Sequence, residues 1–498
     1  MNHDQALQIF ISYSWRNTAE IDLLDQDLQK LGITLVRDIR DLKPWENIET
    51  FTQRITAMDY VLLMISDPYI KSQNCMSEAI YLMDTDPQFD KKTLPIMIGN
   101  VHLEQKSKVR KYEDYWRNEE KRLATQVERG SQTVIQDLKI VSQITANFSK
   151  FTDYLRGIIL VPYSDLKAQN YQIFFQRIGY NPQQVGQLQA LMAITEIETD
   201  RERQDLALDK FLKAHPGHRE GLFYKAYLAN ERGEYQRAKD YYEDLLRQSG
   251  NFALAYNNLG IILSDQFLEF EKAEDCLKKA IQSDSNLAKA YFNLAKLFEN
   301  DYFKRYQEAR FYYEKAIRLF PTYFEAYNNL AVLLISDEFK EYSRAKNYLE
   351  TAITINPGFA EAYFNLGKLM GNDYYHDYEK AKQFYEKTLV INPQYISAYI
   401  NLAALLQGSY FRNYQKAEEY YQKLFMLAPN VARVYYNYAC LHALKEVDTN
   451  NSTSNKLKIF QNLKKAIILN PEFRIIAQND MDFNSFRDDP DFQKIVSL

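Results

Sequence analysis

At 498 residues the chain is long enough for about three domains of ordinary size. Its 61 Lys and Arg against 66 Asp and Glu leave a net charge of −5, which argues against a surface built to hold phosphate backbones, so no nucleic acid partner is expected. Hydrophobic residues at 46% and charged residues at 26% are ordinary globular usage, and with only 15 Gly and 13 Pro the collagen-like and disordered classes are excluded.

The opening MNHDQALQIF lacks the basic segment and apolar core of an export signal, and no later apolar run approaches the roughly 18 residues needed to cross a bilayer. A cytoplasmic protein without a membrane partner is expected. Cys75, Cys276 and Cys440 are far apart and odd in number, as free thiols in a reducing compartment would be. The six His are scattered with no CxxC, HExxH or paired spacing, so no metal is expected.

In chain order, short apolar runs at 7–11, 33–36, 60–65, 94–98 and 158–161 predict strands covered on both faces. Between the first three lie amphipathic helices. Ile21, Leu24, Leu28 and Leu31 mark the first, capped by Gly32, and Ile48, Phe51, Ile55 and Met58 the second. This order predicts a flavodoxin-like α/β domain with a five-stranded parallel sheet, strands in the order 2-1-3-4-5. The charged stretch 106–152 reads as helical, with no topology assigned.

After about residue 205 the strand signals stop and a repeat takes over. AYNNLG (255–260), AYFNLA (290–295), AYNNLA (326–331), AYFNLG (362–367), AYINLA (398–403) and VYYNYA (434–439) are spaced by 35, 36, 36, 36 and 36 residues. Each of the first five is followed by a small residue, Ala273, Ala309, Ala345, Ala381 or Ala417, and most units end on a Pro. This pattern resembles the tetratricopeptide repeat, an all-α solenoid of helix pairs with small residues where the helices cross. The turns between paired helices are longer than usual after the first repeat, and Phe270, Tyr306, Tyr342, Tyr378 and Tyr414, three residues before the crossing Ala, are expected to seal them. Asn258, Asn293, Asn329, Asn365, Asn401 and Asn437 form a ladder for which bonding between neighbouring helices is the favoured role. A polar insert at 448–455 precedes the last second helix, and a charged ending caps the array. The expected boundaries are an α/β domain at 1–178, a connecting helix at 179–204, repeats at 205–475 and the cap at 476–498.

In an open parallel sheet, ligands lie beyond the carboxyl ends of the strands where strand order reverses. That rule selects Ser12, Tyr13, Ser14, Trp15 and Arg16 after the first strand, Arg37, Asp38, Arg40 and Asp41 after the second, and Ser66 and Asp67 after the third. A helix starting near Ser72 or Asn74 then buries Met76, Ala79, Ile80 and Met83, which turns Glu78 elsewhere, beside Cys75 and Leu82. Its positive end favours a carboxylate there.

IFISYSW (9–15), LVRDIRDLKPWENI (35–48), DYVLLMISDPYIKSQNCMSE (59–78) and LPIMIG (94–99) together resemble a Toll/interleukin-1 receptor (TIR) domain, bacterial members above all. The resemblance implies cleavage of the glycosidic bond of NAD by Glu78, in an SxxCxxE match with Ser72 and Cys75. NAD would be substrate, with no cofactor. It also makes 35–48 the loop that gates the pocket and mediates contacts between domains. Some catalytic relatives carry Trp where this chain has Asn74, which leaves Trp15, Trp45 and Tyr13 as groups to stack on the substrate, while Arg16, Arg37 and Arg40 could hold its pyrophosphate. Asp38 is placed with the pocket or in a loop ion pair with Arg37, and Cys75 reads as a packed thiol because no His is near it in sequence. The implied function is an NAD glycohydrolase releasing nicotinamide and ADP-ribose or a cyclic isomer, active as a homo-oligomer, suited to anti-phage defence, and governed by an array that takes a protein or peptide on its concave face. The alternative is a non-catalytic signalling scaffold.

Overall fold

The computed structural model describes residues 7–37, 55, 58–103, 105–127, 132–158, 160–196, 200–449 and 452–497, which fall into two compact units, Met1–Thr322 and Tyr323–Leu498. In the first, five parallel strands, β1 (Ile9–Ser12), β2 (Leu35–Arg37), β3 (Tyr60–Ile65), β4 (Thr93–Met97) and β5 (Val161–Pro162), lie in the order 2-1-3-4-5. β1 begins at Ile9 rather than Leu7. The Gln8 N–H is spent on the Asp59 carboxylate at 2.8 Å instead of on a neighbouring strand. Most of the helix expected around residues 48–58 lies outside the described residues, although Ile55 and Met58 are buried.

Helices α1 (Thr18–Lys30), α2 (Asp67–Ile70), α3 (Gln73–Thr85), α4 (Lys106–Val127), α5 (Gln132–Gly157), α6 (Pro182–Thr195) and α7 (Arg201–Ala214) belong to the same unit. The pleat sends alternate strand residues to opposite faces. Ile9, Ile11, Leu62, Met64 and Ile96 share one core with Leu24 and Leu28 of α1, Leu188 and Leu191 of α6, Phe211 of α7, and Tyr224. Phe10, Val61, Leu63 and Ile65 share the other with Met76 and Ala79 of α3, Trp116 of α4 and Phe148 of α5. The stretch without assigned topology is therefore a pair of long helices covering the α3 side of the sheet.

The helix pairs of the first unit are Arg219–Glu231 with Tyr235–Ser249, Ala253–Asp265 with Phe270–Ser283, and Ala288–Glu299 with Tyr306–Leu319. The sheet meets this part of the array directly. The Gln8 side chain donates to Asp284 Oδ1 (3.1 Å) and accepts from Asn286 Nδ2 (2.7 Å), and Lys289 Nζ donates to Gln29 Oε1 (2.7 Å). Phe252 presses on Gly32, whose φ of +75° and lack of a side chain admit the ring.

The second unit continues with pairs Phe324–Ile335 and Tyr342–Ile355, Ala360–Met370 and Tyr378–Ile391, Ile396–Gln407 and Tyr414–Leu427, and Ala432–Thr449 and Ser452–Leu469. The polar insert is taken up largely by helix, since the paired helices run to Thr449 and from Ser452. Phe483, Phe486, Phe492 and Ile495 from the ending are buried with Tyr436, Ile459 and Leu463.

All five crossing alanines, Ala273, Ala309, Ala345, Ala381 and Ala417, are fully buried, as close helix approach requires. The long turns close through their backbone. Leu268, Lys304, Lys340, His376 and Arg412 each take a left-handed φ between 46° and 55°, the conformation Gly233 takes in the short first turn. The next residue then donates its N–H back to the preceding helix, as in Arg305 to Phe298 (2.8 Å) and Asp377 to Met370 (2.8 Å). Of the aromatics expected to seal these turns, Phe270, Tyr342 and Tyr378 lie tilted against Tyr302, Tyr374 and Tyr410 in the turn of the following repeat, with ring centroids 4.9, 4.9 and 5.2 Å apart. Among the described residues, no helix is long and apolar enough to cross a membrane.

Candidate functional site

The strand order reverses between β1 and β3, whose register pairs Ser12 with Leu63. Ser12, the last residue of β1, faces the α3 side of the sheet as Phe10 does. There its hydroxyl donates to Glu78 Oε2 at 3.0 Å and lies 3.1 Å from the Tyr69 hydroxyl. Glu78 is 9% exposed, so it is neither a solvated helix residue nor sealed from the surface.

Local sequence explains how Tyr69 and Glu78 reach this point. Ser66 caps α2 by accepting from the Tyr69 N–H (3.1 Å) and donates its own proton to Asn17 Oδ1 (2.7 Å). Asn17 is tied to the loop after β1 through its N–H and the Ser14 carbonyl (2.8 Å). Ser72 caps α3, accepting from the Cys75 N–H at 3.3 Å. One turn later Glu78 is brought beneath Ser12. The Cys75 thiol donates to the Tyr13 carbonyl at 3.5 Å and is buried.

The residues selected after β1 do not all meet. Ser12 and Ser14 are buried at the strand end, whereas Arg16 is exposed. Tyr13 follows the other arm of the pleat into the α1-side core beside Ile9 and Ile11, which removes its ring from the Glu78 side and from a stacking role there. Burial, only partly offset by Arg37, pushes the Tyr13 phenol up to about 12, so it stays protonated. Arg37 is not a loop cation waiting for pyrophosphate. Its guanidinium is held by Asp22 (2.6 Å), Asp25 (2.8 Å) and the Ile21 carbonyl (3.3 Å), all on α1. Burial opposes that charge, yet Asp25 and the other partners outweigh it and hold Arg37 above the ordinary Arg value. Arg37 thus forms its ion pairs among the described residues with Asp22 and Asp25, while the pairing suggested with Asp38 lies outside them. Asp38, Arg40, Asp41, Trp45 and nearly all of the loop at 35–48 lie outside the described residues, as does the Trp15 side chain.

Sequence reasoning missed Tyr69 and Asn17. The signal for Tyr69 was present in Ser66-Asp67-Pro68-Tyr69, where a capping Ser followed by Pro opens a helical turn and directs the third residue back toward the cap.

The asparagine ladder has structural partners. Asn293 Nδ2 donates to Asn257 Oδ1 (2.9 Å), Asn365 Nδ2 to Asn328 Oδ1 (2.9 Å), and Asn258 Nδ2 to the Tyr242 hydroxyl (3.0 Å). These bonds tie neighbouring helices together. Among the described residues Cys440, Asp480 and Asp482 also gather potential ligand atoms within 4.8 Å of one another. Asp480 is already occupied by the Tyr436 hydroxyl (2.6 Å) and the Asp482 N–H (3.0 Å), and burial pushes the Cys440 thiol well up.

Residues 9–127 match the TIR domain family, and residues 206–263, 288–323 and 312–347 match tetratricopeptide repeat families. The chain therefore carries an N-terminal TIR domain followed by an array of tetratricopeptide repeats, a fold that commonly mediates contacts between proteins. No curated protein matches it. Similar solved structures include PilF of Pseudomonas aeruginosa, at 24% identity over 47% of this chain and 96% of that one with a TM-score of 0.39. A tetratricopeptide repeat protein of Parabacteroides merdae is similar at 16% identity over 56% and 99% with a TM-score of 0.40. YrrB, described as having an unusual peptide-binding site, is similar at 23% identity over 39% and 95% with a TM-score of 0.31.

Proposed function

We propose that the TIR domain is an NAD glycohydrolase with Glu78 as its catalytic carboxylate, and that the repeat array governs its assembly. The observation that carries this reading is the Ser12 to Glu78 hydrogen bond, which holds a largely buried carboxylate at the carboxyl ends of β1 and β3, where a doubly wound sheet places its ligand.

One carboxylate suffices for this reaction. Ordinary glycoside cleavage needs a second carboxyl group to protonate the leaving oxygen. Nicotinamide instead departs from a cationic pyridinium and is neutral as it leaves. What needs stabilising is the positive charge growing on the ribose, and a fixed anion beside it, also accepting from the ribose hydroxyls, does that. Water or an atom of the same dinucleotide then takes the open carbon, giving ADP-ribose or a cyclic isomer. Self-association of TIR domains, with the array sensing a protein or peptide, would couple that loss of NAD to infection.

The test is nicotinamide release by the full chain, dilute and clustered, beside Glu78→Gln. The expected outcome is turnover that rises on clustering and falls by roughly a thousandfold in the variant, the scale of losing a fixed transition-state partner. Equal turnover in both proteins removes Glu78 from the role. The second reading, a signalling scaffold without catalysis, draws on the commitment of Arg37 to Asp22 and Asp25, which withdraws one cation from a pyrophosphate. It predicts no turnover in any state of clustering.

A further inference from the structure

We propose that Tyr69 is a positioning residue for Glu78, acting through the Ser12 hydroxyl and held in place by α4. This deepens the glycohydrolase reading and rests on it for its catalytic consequence.

The direction of the hydrogen bonds follows from counting protons. Ser12 has one, and it is given to Glu78 Oε2, an acceptor. The remaining contact of the Ser12 oxygen, to the Tyr69 hydroxyl at 3.1 Å, must then be a bond that Tyr69 donates. Tyr69 is fully buried and Ser12 is 2% exposed, so water does not compete for either group. Burial raises the Tyr69 phenol well above its ordinary value, which keeps the donated proton on the ring oxygen. A hydroxyl that receives one hydrogen bond becomes a better donor of the next, so the Tyr69 bond strengthens the Ser12 grip on Glu78 and fixes where Oε2 sits.

The turn that carries Tyr69 is pinned from outside the strand-end loops. Trp116 Nε1 donates to the Ile70 carbonyl (3.1 Å), the Tyr112 hydroxyl to Asp67 Oδ1 (3.0 Å) and the Tyr115 hydroxyl to the Lys71 carbonyl (3.3 Å). Three neighbouring aromatic residues of α4 thus hold a four-residue helix at both ends of Tyr69. With the Ser66 cap on its N–H, the backbone that carries the fully buried phenol is tied on every side.

The experiment compares the full-length wild type, Tyr69→Phe, Ser12→Ala and the double variant. Phe keeps the ring and removes the hydroxyl, and with it the donated bond. Tyr69→Phe is expected to lower kcat for nicotinamide release by roughly three- to tenfold, with KM within about a factor of two, and Ser12→Ala to lower it by roughly ten- to a hundredfold. The double variant should be no slower than Ser12→Ala, because the Tyr69 effect passes through the oxygen that Ser12→Ala deletes. A purely structural Tyr69 would multiply its loss onto that of Ser12→Ala, and that result, or an unchanged kcat in Tyr69→Phe, overturns the proposal. Crystal structures of wild type and Tyr69→Phe judge it without turnover, since the Glu78 carboxylate should be single in the first and shifted or split in the second. If the wild type releases no nicotinamide while Glu78 still moves, the glycohydrolase reading fails and the relay stands. If Glu78 is unmoved, the relay fails whatever the activity.

Discussion

Replacing Gly32 by Ala probes the join between the sheet and the array at one atom. The left-handed φ of +75° at this position costs an L-residue about 1–2 kcal/mol. The new Cβ falls 2.1 Å from Phe252 Cζ and 2.6 Å from Cε2. Ordinary carbon contacts are about 3.5–4.0 Å, so ring or turn must retreat by about 1.5 Å. The ring has little room to do so, being 6% exposed, with Phe223 5.0 Å away and the Arg219 guanidinium 5.0 Å over its face. Overpacking of this kind costs about 1–3 kcal/mol, which brings the expected loss to about 2–5 kcal/mol. Urea unfolding followed by tryptophan fluorescence reads it, because Trp15, Trp45 and Trp116 all lie in the N-terminal part of the chain. In a Phe252→Ala background the same substitution should cost only the backbone share, about 1–2 kcal/mol. Equal losses in the two backgrounds, or none, would refute the contact.

Further outcomes follow from other contacts. Asp284 is raised above its ordinary value by burial, against the bonds it accepts from Asn286 and Gln8, so its protonated form favours folding and that stability is lost as pH rises through the folded pKa. Asp284→Asn should therefore be at least as stable as wild type at pH 7, with its advantage shrinking as pH falls toward the ordinary Asp value near 3.8, measured as urea midpoints at both ends. Cutting the chain after residue 204 strips Leu208, Phe211 and Tyr224 from the α1-side core, and the product should bind a hydrophobic dye and scatter light, whereas a cut after residue 322 should leave a monodisperse unit. His376→Gly should raise stability by up to about 1 kcal/mol by relieving a left-handed residue, and His376→Val should lower it by about 1–2 kcal/mol, both read from thermal melting.

The sheet was legible because five apolar runs buried on both faces leave few other arrangements, and the array because a 36-residue period repeats its small residues. The strand-end cluster was less so. Proximity in sequence grouped Ser12 with Tyr13, but the pleat separates them, sending Ser12 to Glu78 and Tyr13 to the opposite core. For Tyr69 the Ser66-Asp67-Pro68-Tyr69 turn was legible, but nothing in the residue type reveals that its hydroxyl ends against a serine of a distant strand. Periodicity showed that 106–152 is helical without showing against what it packs, because partner choice depends on the shape of a surface formed by distant residues. Arg37 illustrates the same limit, its partners Asp22 and Asp25 lying a helix away.

The left-handed turn residues leave one position per long-turned repeat where the backbone disfavours β-branched residues but the fold does not dictate the charge or polarity of the side chain. Closure there is made by main-chain bonds, and the side chains that stand at it range from apolar Leu268 through His376 to cationic Lys304, Lys340 and Arg412, all facing solvent. Such sites can be rewritten one by one, altering what a visitor meets at the rim of each module while the hidden alanine seams stay as they are.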